Sequence, residues 1–137
     1  MAGVSTPELA AAVSNAGGLG SIGIGTSSVA VAQRMIEETH AQTSGVFNVN
    51  LLSHLPTQRD AAREAAWLAH LSPFFEEFGA VPPVELKEIH RSFLEDDETF
   101  QMLPAMRPPI VSFHFGIPSA DRLAALPAAC RAPIAVP

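Results

Sequence analysis

Val46-Phe47-Asn48-Val49-Asn50-Leu51-Leu52 decides the fold. Apart from its two asparagines the run is apolar at every position. A strand buried on both faces has this composition, whereas a hairpin strand alternates polar and apolar residues. Upstream, Ser27-Ser28 can cap a helix with Val29, Ala32, Met35 and Ile36 on one face, and Gly45 closes its connection to the run. Before that helix stands Leu19-Gly20-Ser21-Ile22-Gly23-Ile24-Gly25, a short glycine-rich strand whose neighbours must approach its backbone closely. A first helix precedes it. Ser5-Thr6-Pro7-Glu8 supplies a cap, a first-turn proline and a carboxylate at the positive end of the dipole. Leu9, Ala12, Val13 and Ala16 follow at helical spacing, and Gly17-Gly18 ends the helix.

Downstream the punctuation is proline. Eleven of the twelve prolines lie after residue 55, and six of the nine glycines lie in the first 25 residues. Thr57 and Asp60 mark a helix start before the alanine-rich stretch 61–71, which contains Trp67. Pro73 should interrupt this helix, and Gly79 should end Phe74-Phe75-Glu76-Glu77-Phe78, whose phenylalanines read as core. After Pro82-Pro83, Leu86, Ile89 and Phe93 share a face at helical spacing. Asp96-Asp97-Glu98 starts a further helix carrying Phe100, Met102 and Leu103. Pro108-Pro109 leads into a third strand, Ile110-Val111-Ser112-Phe113-His114-Phe115-Gly116, and Ser119 opens a last helix through Leu126. Beyond Pro127 the periodicity is lost, so residues 127–137 read as an irregular tail behind a domain of residues 1–126.

Strands separated by helices cannot form hairpins, so the sheet is parallel with right-handed crossovers. Such a sheet is covered on both faces or closed into a barrel, and three strands are too few for either. Met1-Ala2-Gly3-Val4 also reads as a strand-to-helix loop with no strand before it. The pattern is that of an incomplete α/β domain, which agrees with a length of 137 residues for one small domain or part of a larger one.

Gly18-Leu19-Gly20-Ser21-Ile22-Gly23 matches GxGxxG. A dinucleotide fingerprint needs a strand before the glycines and a helix opening within them. Here a helix precedes and the strand holds the glycines, so the match does not signify a Rossmann site.

Sites of parallel α/β folds lie at strand ends. Asn50, near the end of its strand, offers two donors and one acceptor, suited to a flat heterocycle; its alternative is to satisfy loop backbone. Asn48 has the same parity but lies further from the end. His114 ends an otherwise apolar strand, either as a satisfied core residue or as a proton carrier or hydrogen-bond donor to an anion. His40, His54, His70 and His90 have no metal-ligand spacing and read as surface or boundary residues. The run Glu95-Asp96-Asp97-Glu98 reads as a solvated helix start, and no metal site is expected. Cys130 has no local base to make it a nucleophile, and a lone cysteine excludes an internal disulfide.

Composition excludes other classes. Acids number 14 and bases 8, for a net charge of −6, which argues against nucleic-acid and anionic-membrane partners. An apolar share of 47% argues against disorder. No apolar run is long enough to span a membrane, and no secretory signal is visible in residues 1–20, so a cytoplasmic location is expected.

Three stretches together carry a resemblance: residues 1–20, from Met1-Ala2-Gly3-Val4-Ser5-Thr6-Pro7 to Gly17-Gly18-Leu19-Gly20; Phe47-Asn48-Val49-Asn50-Leu51; and Val111-Ser112-Phe113-His114-Phe115-Gly116. In this order and spacing they resemble the nitronate monooxygenase family, formerly nitropropane dioxygenases, over residues 1 to about 126. The resemblance implies a (βα)8 TIM barrel that binds FMN at the C-terminal ends of its strands. The three strands would be its second, third and fourth, each followed by its helix. The implied activity is oxidation of alkyl nitronates with O2, so an enzyme whose partners are small molecules. The resemblance also implies that Met1, Ala2 and Gly3 contact the flavin through backbone, that Asn50 contacts the isoalloxazine ring, and that His114 lies in the pocket beside it as a catalytic residue.

Two departures follow. The family's Gly-Gly-His segment, whose histidine is given the role of base, does not occur in this sequence, nor do the late glycine-rich loops that hold the FMN phosphate. The tail from Pro127 stands where the family has the end of the fourth helix and the fifth strand; a truncation at the start and a change of frame near residue 127 would account for this. A chain with these departures is expected to be inactive alone and to self-associate through exposed sheet edges. The alternatives are a noncatalytic barrel fragment and a relative of the flavin-dependent enoyl-carrier-protein reductases.

Overall fold

The structure is a computed structural model that describes residues 3–126 and the backbone of residues 133–136. It divides into two compact units. The first comprises residues up to Pro56 together with those from His90 onward, and the second is Thr57–Ile89.

The first unit holds one sheet. α1 (Pro7–Asn15) leads to β1 (Gly20–Gly23), α2 (Val29–Gln42) to β2 (Phe47–Leu52), α4 (Asp97–Met106) to β3 (Ile110–His114), and α5 (Ala120–Ala125) to β4 (Pro133–Val136). The strands stand in chain order, and every neighbouring pair is parallel. The parallel sheet with intervening helices is therefore as expected, but it has four strands instead of three. The fourth corrects, at residues 133–136, the expectation of an irregular tail over residues 127–137; residues 127–132 and 137 lie outside the described residues. Pro133 aligns with Val111 and Val136 with His114, so β4 stands beside β3, where the resemblance puts the fifth barrel strand. Periodicity misses a strand of four residues that opens on a proline, because so short a run carries no repeat. Cys130 lies outside the described residues.

Burial separates the faces of the sheet. Ile22, Val49, Leu51, Val111 and Phe113 are at most 2% exposed and pack with Ala10, Ala32, Ile36 and Leu103 from the helices. This is the core of the unit. The alternate positions Ser21, Asn48, Asn50, Ser112 and His114 occupy the other face, in pairs set by the register Ser21↔Asn48 and Asn50↔Ser112.

Local chemistry explains the helix ends. Thr6 accepts from the Leu9 amide, Asp96 from Thr99 and Ser119 from Arg122, each satisfying a first-turn N–H. Ser14 fastens α1 to the sheet: its hydroxyl donates to Val46 O (2.9 Å) and accepts from the Gly20 amide (3.2 Å). The approach is close enough that a Cβ on Gly20 would lie 1.9 Å from Ala10 O, so only glycine fits.

The helix expected around Leu86, Ile89 and Phe93 does not form. The Phe93 amide donates to Leu52 O (2.8 Å), and the Ser92 hydroxyl donates to His54 O (2.6 Å). These bonds commit the backbone to the end of β2, and Phe93 joins the core at 2% exposure. Its helical spacing from Leu86 and Ile89 is fortuitous.

In the second unit, α3 (Ala61–Glu77) is capped by Asp60 and runs through Pro73 without a break. The carbonyl that Pro73 deprives of a partner belongs to Ala69, which is exposed and can bond to water. Phe74 and Phe78 are exposed, which corrects their reading as core, and Trp67 is exposed as well. One helix, taken by itself, has no second layer to bury an apolar face. Arg59 bonds Glu64 and holds its carboxyl below the ordinary carboxylate range, mainly through that hydrogen bond. Among the described residues no helix is long and apolar enough to cross a membrane.

Candidate functional site

The site begins with strand parity. β2 and β3 place an apolar residue against the helices at every second position, so Asn48, Asn50, Ser112 and His114 fall together on the opposite face. They are joined by hydrogen bonds. Asn48 Nδ2 donates to Ser21 Oγ (2.8 Å) and to Ser112 Oγ (2.9 Å). Asn50 Nδ2 donates to Ser112 Oγ (2.8 Å) and to Ser112 O (3.3 Å), and stands 2.6 Å from His114 Nδ1. A polar line thus runs from Ser21 on β1 to His114 at the C-terminal end of β3.

The two ends of the line differ. Asn48 is 9% exposed and Ser112 4%, while Asn50 and His114 are half-buried and reachable. The structure brings Asn50 and His114 together, and it adds Ser112, Asn48 and Ser21, which the sequence reading did not select. Their signal was parity: each is a polar residue two positions from another, or aligned with one, in strands that are otherwise apolar or glycine.

The backbone turns sharply after His114. Phe115 has φ +68°, a left-handed conformation that bulky residues rarely adopt, and Gly116 has φ +157°. A Cβ on Gly116 would meet Ser53 O at 2.3 Å. The Ser53 amide donates to His114 O (2.8 Å), so β2 and β3 stay paired up to this turn. Phe115 is left 67% exposed, its ring 6.0 Å from that of His114. Gly3 lies in the turn before α1 with φ +76° and open space in its Cβ direction. Met1 and Ala2 lie outside the described residues.

These groups fit the polar edge of a flavin ring in their chemistry. That edge alternates hydrogen-bond donors and acceptors; the amide nitrogens of Asn48 and Asn50 are engaged within the polar line, so each asparagine offers such a group its amide oxygen. The Oδ1 of Asn48 is buried and has no partner among the described residues. A buried amide oxygen without a partner is costly in a finished core and unremarkable where a polar group completes the site. No strand residue on this face is Lys or Arg, so the face itself brings no positive charge to a phosphate. Among the described residues no cluster of three or more His, Cys, Asp or Glu could hold a metal ion.

Comparison with known proteins agrees with this arrangement. A model of the nitronate monooxygenase family matches residues 1–135, past the limit near residue 126 expected from the sequence and into β4. The chain is 57% identical over 128 residues to a nitronate monooxygenase of Pseudomonas aeruginosa, covering 93% of this chain and 36% of that protein. It is 53% identical over 126 residues to one of Paraburkholderia phytofirmans, covering 92% of this chain and 34% of that protein. The chain therefore spans about a third of the length of the curated relatives it matches. Among solved structures, a nitroalkane oxidase of Streptomyces ansochromogenes superposes with a TM-score of 0.76 at 27% identity, covering 98% of this chain and 37% of that one. FabK of Thermotoga maritima superposes with a TM-score of 0.50, also at 27% identity, over 85% of this chain and 25% of that one. The fold is α/β, an incomplete (βα)8 barrel of consecutive parallel strands. The chain belongs to the nitronate monooxygenase family.

Proposed function

We propose that the chain carries the ring-binding and substrate-facing part of an FMN-dependent nitronate monooxygenase, which oxidises alkyl nitronates with O2. The observation that carries this reading is the Asn50–His114 pair, half-buried at the C-terminal ends of adjacent parallel strands, where α/β barrels build their sites. The flavin family and the amide oxygens of Asn48 and Asn50 support FMN as the group held there.

Each residue has a task. Asn50 holds the polar edge of the ring, and Gly3, with Met1 and Ala2, offers backbone at its margin. His114 faces the substrate. A nitronate is an anion whose charge lies on its oxygens, and an imidazole N–H aimed at one of them binds and orients it. Phe115 walls the same place with an exposed ring. Bound FMN supplies the electron acceptor that neither histidine nor asparagine can provide. The net charge of −6 leaves capture of the flavin phosphate to backbone N–H groups and helix termini of the barrel. Likeness to FabK supports the reductase alternative less well, with TM-scores of 0.50 and 0.59 against 0.76 for the nitroalkane oxidase.

The test replaces the histidine matching His114 by alanine in a full-length family member. Turnover of propyl nitronate should fall at least tenfold, about 1.4 kcal/mol of lost transition-state stabilisation, with flavin content unchanged. Unchanged steady-state kinetics would return His114 to a structural role. The 137-residue chain itself should show no nitronate-dependent oxygen uptake, since its sequence has no Gly-Gly-His base segment.

A further inference from the structure

We propose that Phe115 determines specificity for the alkyl chain of the nitronate: its ring takes the chain while His114 takes the charged end, so the site selects nitronates of longer apolar chain. The inference rests on the reading of His114 as the residue that faces the substrate, and it accounts for the part of the substrate that an imidazole does not recognise.

The backbone of Phe115 is held left-handed at φ +68°, where a bulky residue is strained. Burial does not offset the strain, since the residue is 67% exposed. Its neighbours impose it. His114 O accepts from the Ser53 amide (2.8 Å), which fixes the chain just before the turn. Gly116 approaches the end of β2 so closely that a Cβ would meet Ser53 O at 2.3 Å, and Pro118 beyond it is buried. The chain is pinned on either side of Phe115, and the ring is presented at the C-terminal end of β3. Strained residues that their surroundings over-determine gather at binding sites, and this strand end is where a parallel α/β barrel builds one.

His114 and Phe115 give the place two chemistries. Their ring centroids are 6.0 Å apart with the planes inclined at 56°. One ring can offer an N–H to an anion, and the other offers apolar surface alone. An alkyl nitronate has the same two parts: charged oxygens at one end and hydrocarbon behind the reacting carbon. With the oxygens at His114, the chain comes within reach of the Phe115 ring. Ile117, 62% exposed two residues further on, adds apolar surface to the same turn. Each methylene fully withdrawn from water against such a surface improves binding by about fourfold. The contact is as good before the reaction as during it, so it lowers KM and leaves kcat alone.

The test is a chain-length series, ethyl to hexyl nitronate, in a flavin-loaded full-length family member that carries the same His-Phe-Gly turn. For the parent enzyme kcat/KM should rise with chain length through a falling KM, by up to about fourfold per methylene. At the residue matching Phe115, Phe115→Ala should flatten that rise with kcat and flavin content unchanged. Phe115→Leu, which keeps apolar surface, should restore most of it. Phe115→Gly relieves the turn and should behave as the alanine variant does, which covers the case of an alanine variant that does not fold. A parent with no dependence on chain length would overturn the proposal, and so would alanine and glycine variants that keep the parent's dependence. Loss by one factor at every length would also overturn it, because the ring would then be packing only. The His114→Ala variant separates this inference from the reading it rests on: unchanged turnover there defeats that reading, whereas an unchanged chain-length dependence in the Phe115 variants defeats this inference alone.

Discussion

Asn50 Nδ2 stands 2.6 Å from His114 Nδ1, and this contact joins the ends of two neighbouring parallel strands. The residues are 64 positions apart in sequence, and register alone brings them together: Asn50 aligns with Ser112, two residues before His114 on the same face. The pair is therefore sensitive to the chemistry of the amide as well as to its presence.

Asn50→Asp should be more damaging than its size suggests. A carboxylate cannot donate, and it would face the carbonyl Ser112 O at the present distance of 3.3 Å, while the Ser112 hydroxyl, 2.8 Å away, would have to turn from acceptor to donor. Stability should fall by about 1–3 kcal/mol, the cost of unsatisfied polar groups in a partly buried place. Urea unfolding should show a lower midpoint at unchanged slope. A midpoint equal to wild type would show that the amide hydrogens contribute nothing.

Gly20→Ala should unfold the first unit. The new methyl would meet Ala10 O at 1.9 Å, and α1 cannot retreat while Ser14 ties it to both Val46 O and the Gly20 amide. Overpacking against backbone costs about 1–3 kcal/mol or more. Far-UV circular dichroism of the soluble fraction checks it, and a variant with a wild-type melt would contradict the close crossing of α1 and β1.

Phe115→Gly should stabilise the chain while removing a wall of the proposed substrate pocket. The left-handed φ of +68° costs a phenylalanine about 1–3 kcal/mol, and at 67% exposure its ring recovers little by burial. Glycine adopts this conformation freely, at some cost in unfolded-state entropy. The melting temperature should rise by a few degrees. A fall would mean that the ring is held by contacts stronger than the strain.

Much of this architecture was legible in the sequence because burial leaves a compositional trace. Phe47–Leu52 and Ile110–His114 read as strands since both faces are covered, and the caps at Thr6, Asp96 and Ser119 are local chemistry. Asn50 and His114 stood out as polar residues near the ends of such strands. What escaped reading depends on partners distant in sequence. Phe93 looks like the third member of a helical stripe until the bond from its amide to Leu52 O takes it into the core. Phe74 and Phe78 look like core, yet both are exposed. Ser112 is an ordinary strand serine until the register sets it against Asn50.

Exposed edges should make the chain associate. β1 and β4 each have one strand neighbour, so both leave a parallel edge open among the described residues. Unpaired strand edges recruit other edges. Sedimentation velocity should show species larger than a 14.5 kDa monomer that grow with concentration. A monomer at every concentration, with a sharp cooperative melt, would show that the edges are protected.

The central claim is that the face carrying Asn50 and His114 receives the flavin ring, and an FMN titration followed by NMR at those two side chains tests it most directly. The account predicts saturable shifts of the Asn50 amide and His114 ring signals, with flavin lost on gel filtration because the face itself brings no positive charge to the phosphate. Signals of Asn50 and His114 that stay fixed while FMN moves resonances elsewhere, or stoichiometric flavin retention that leaves them unchanged, would contradict it.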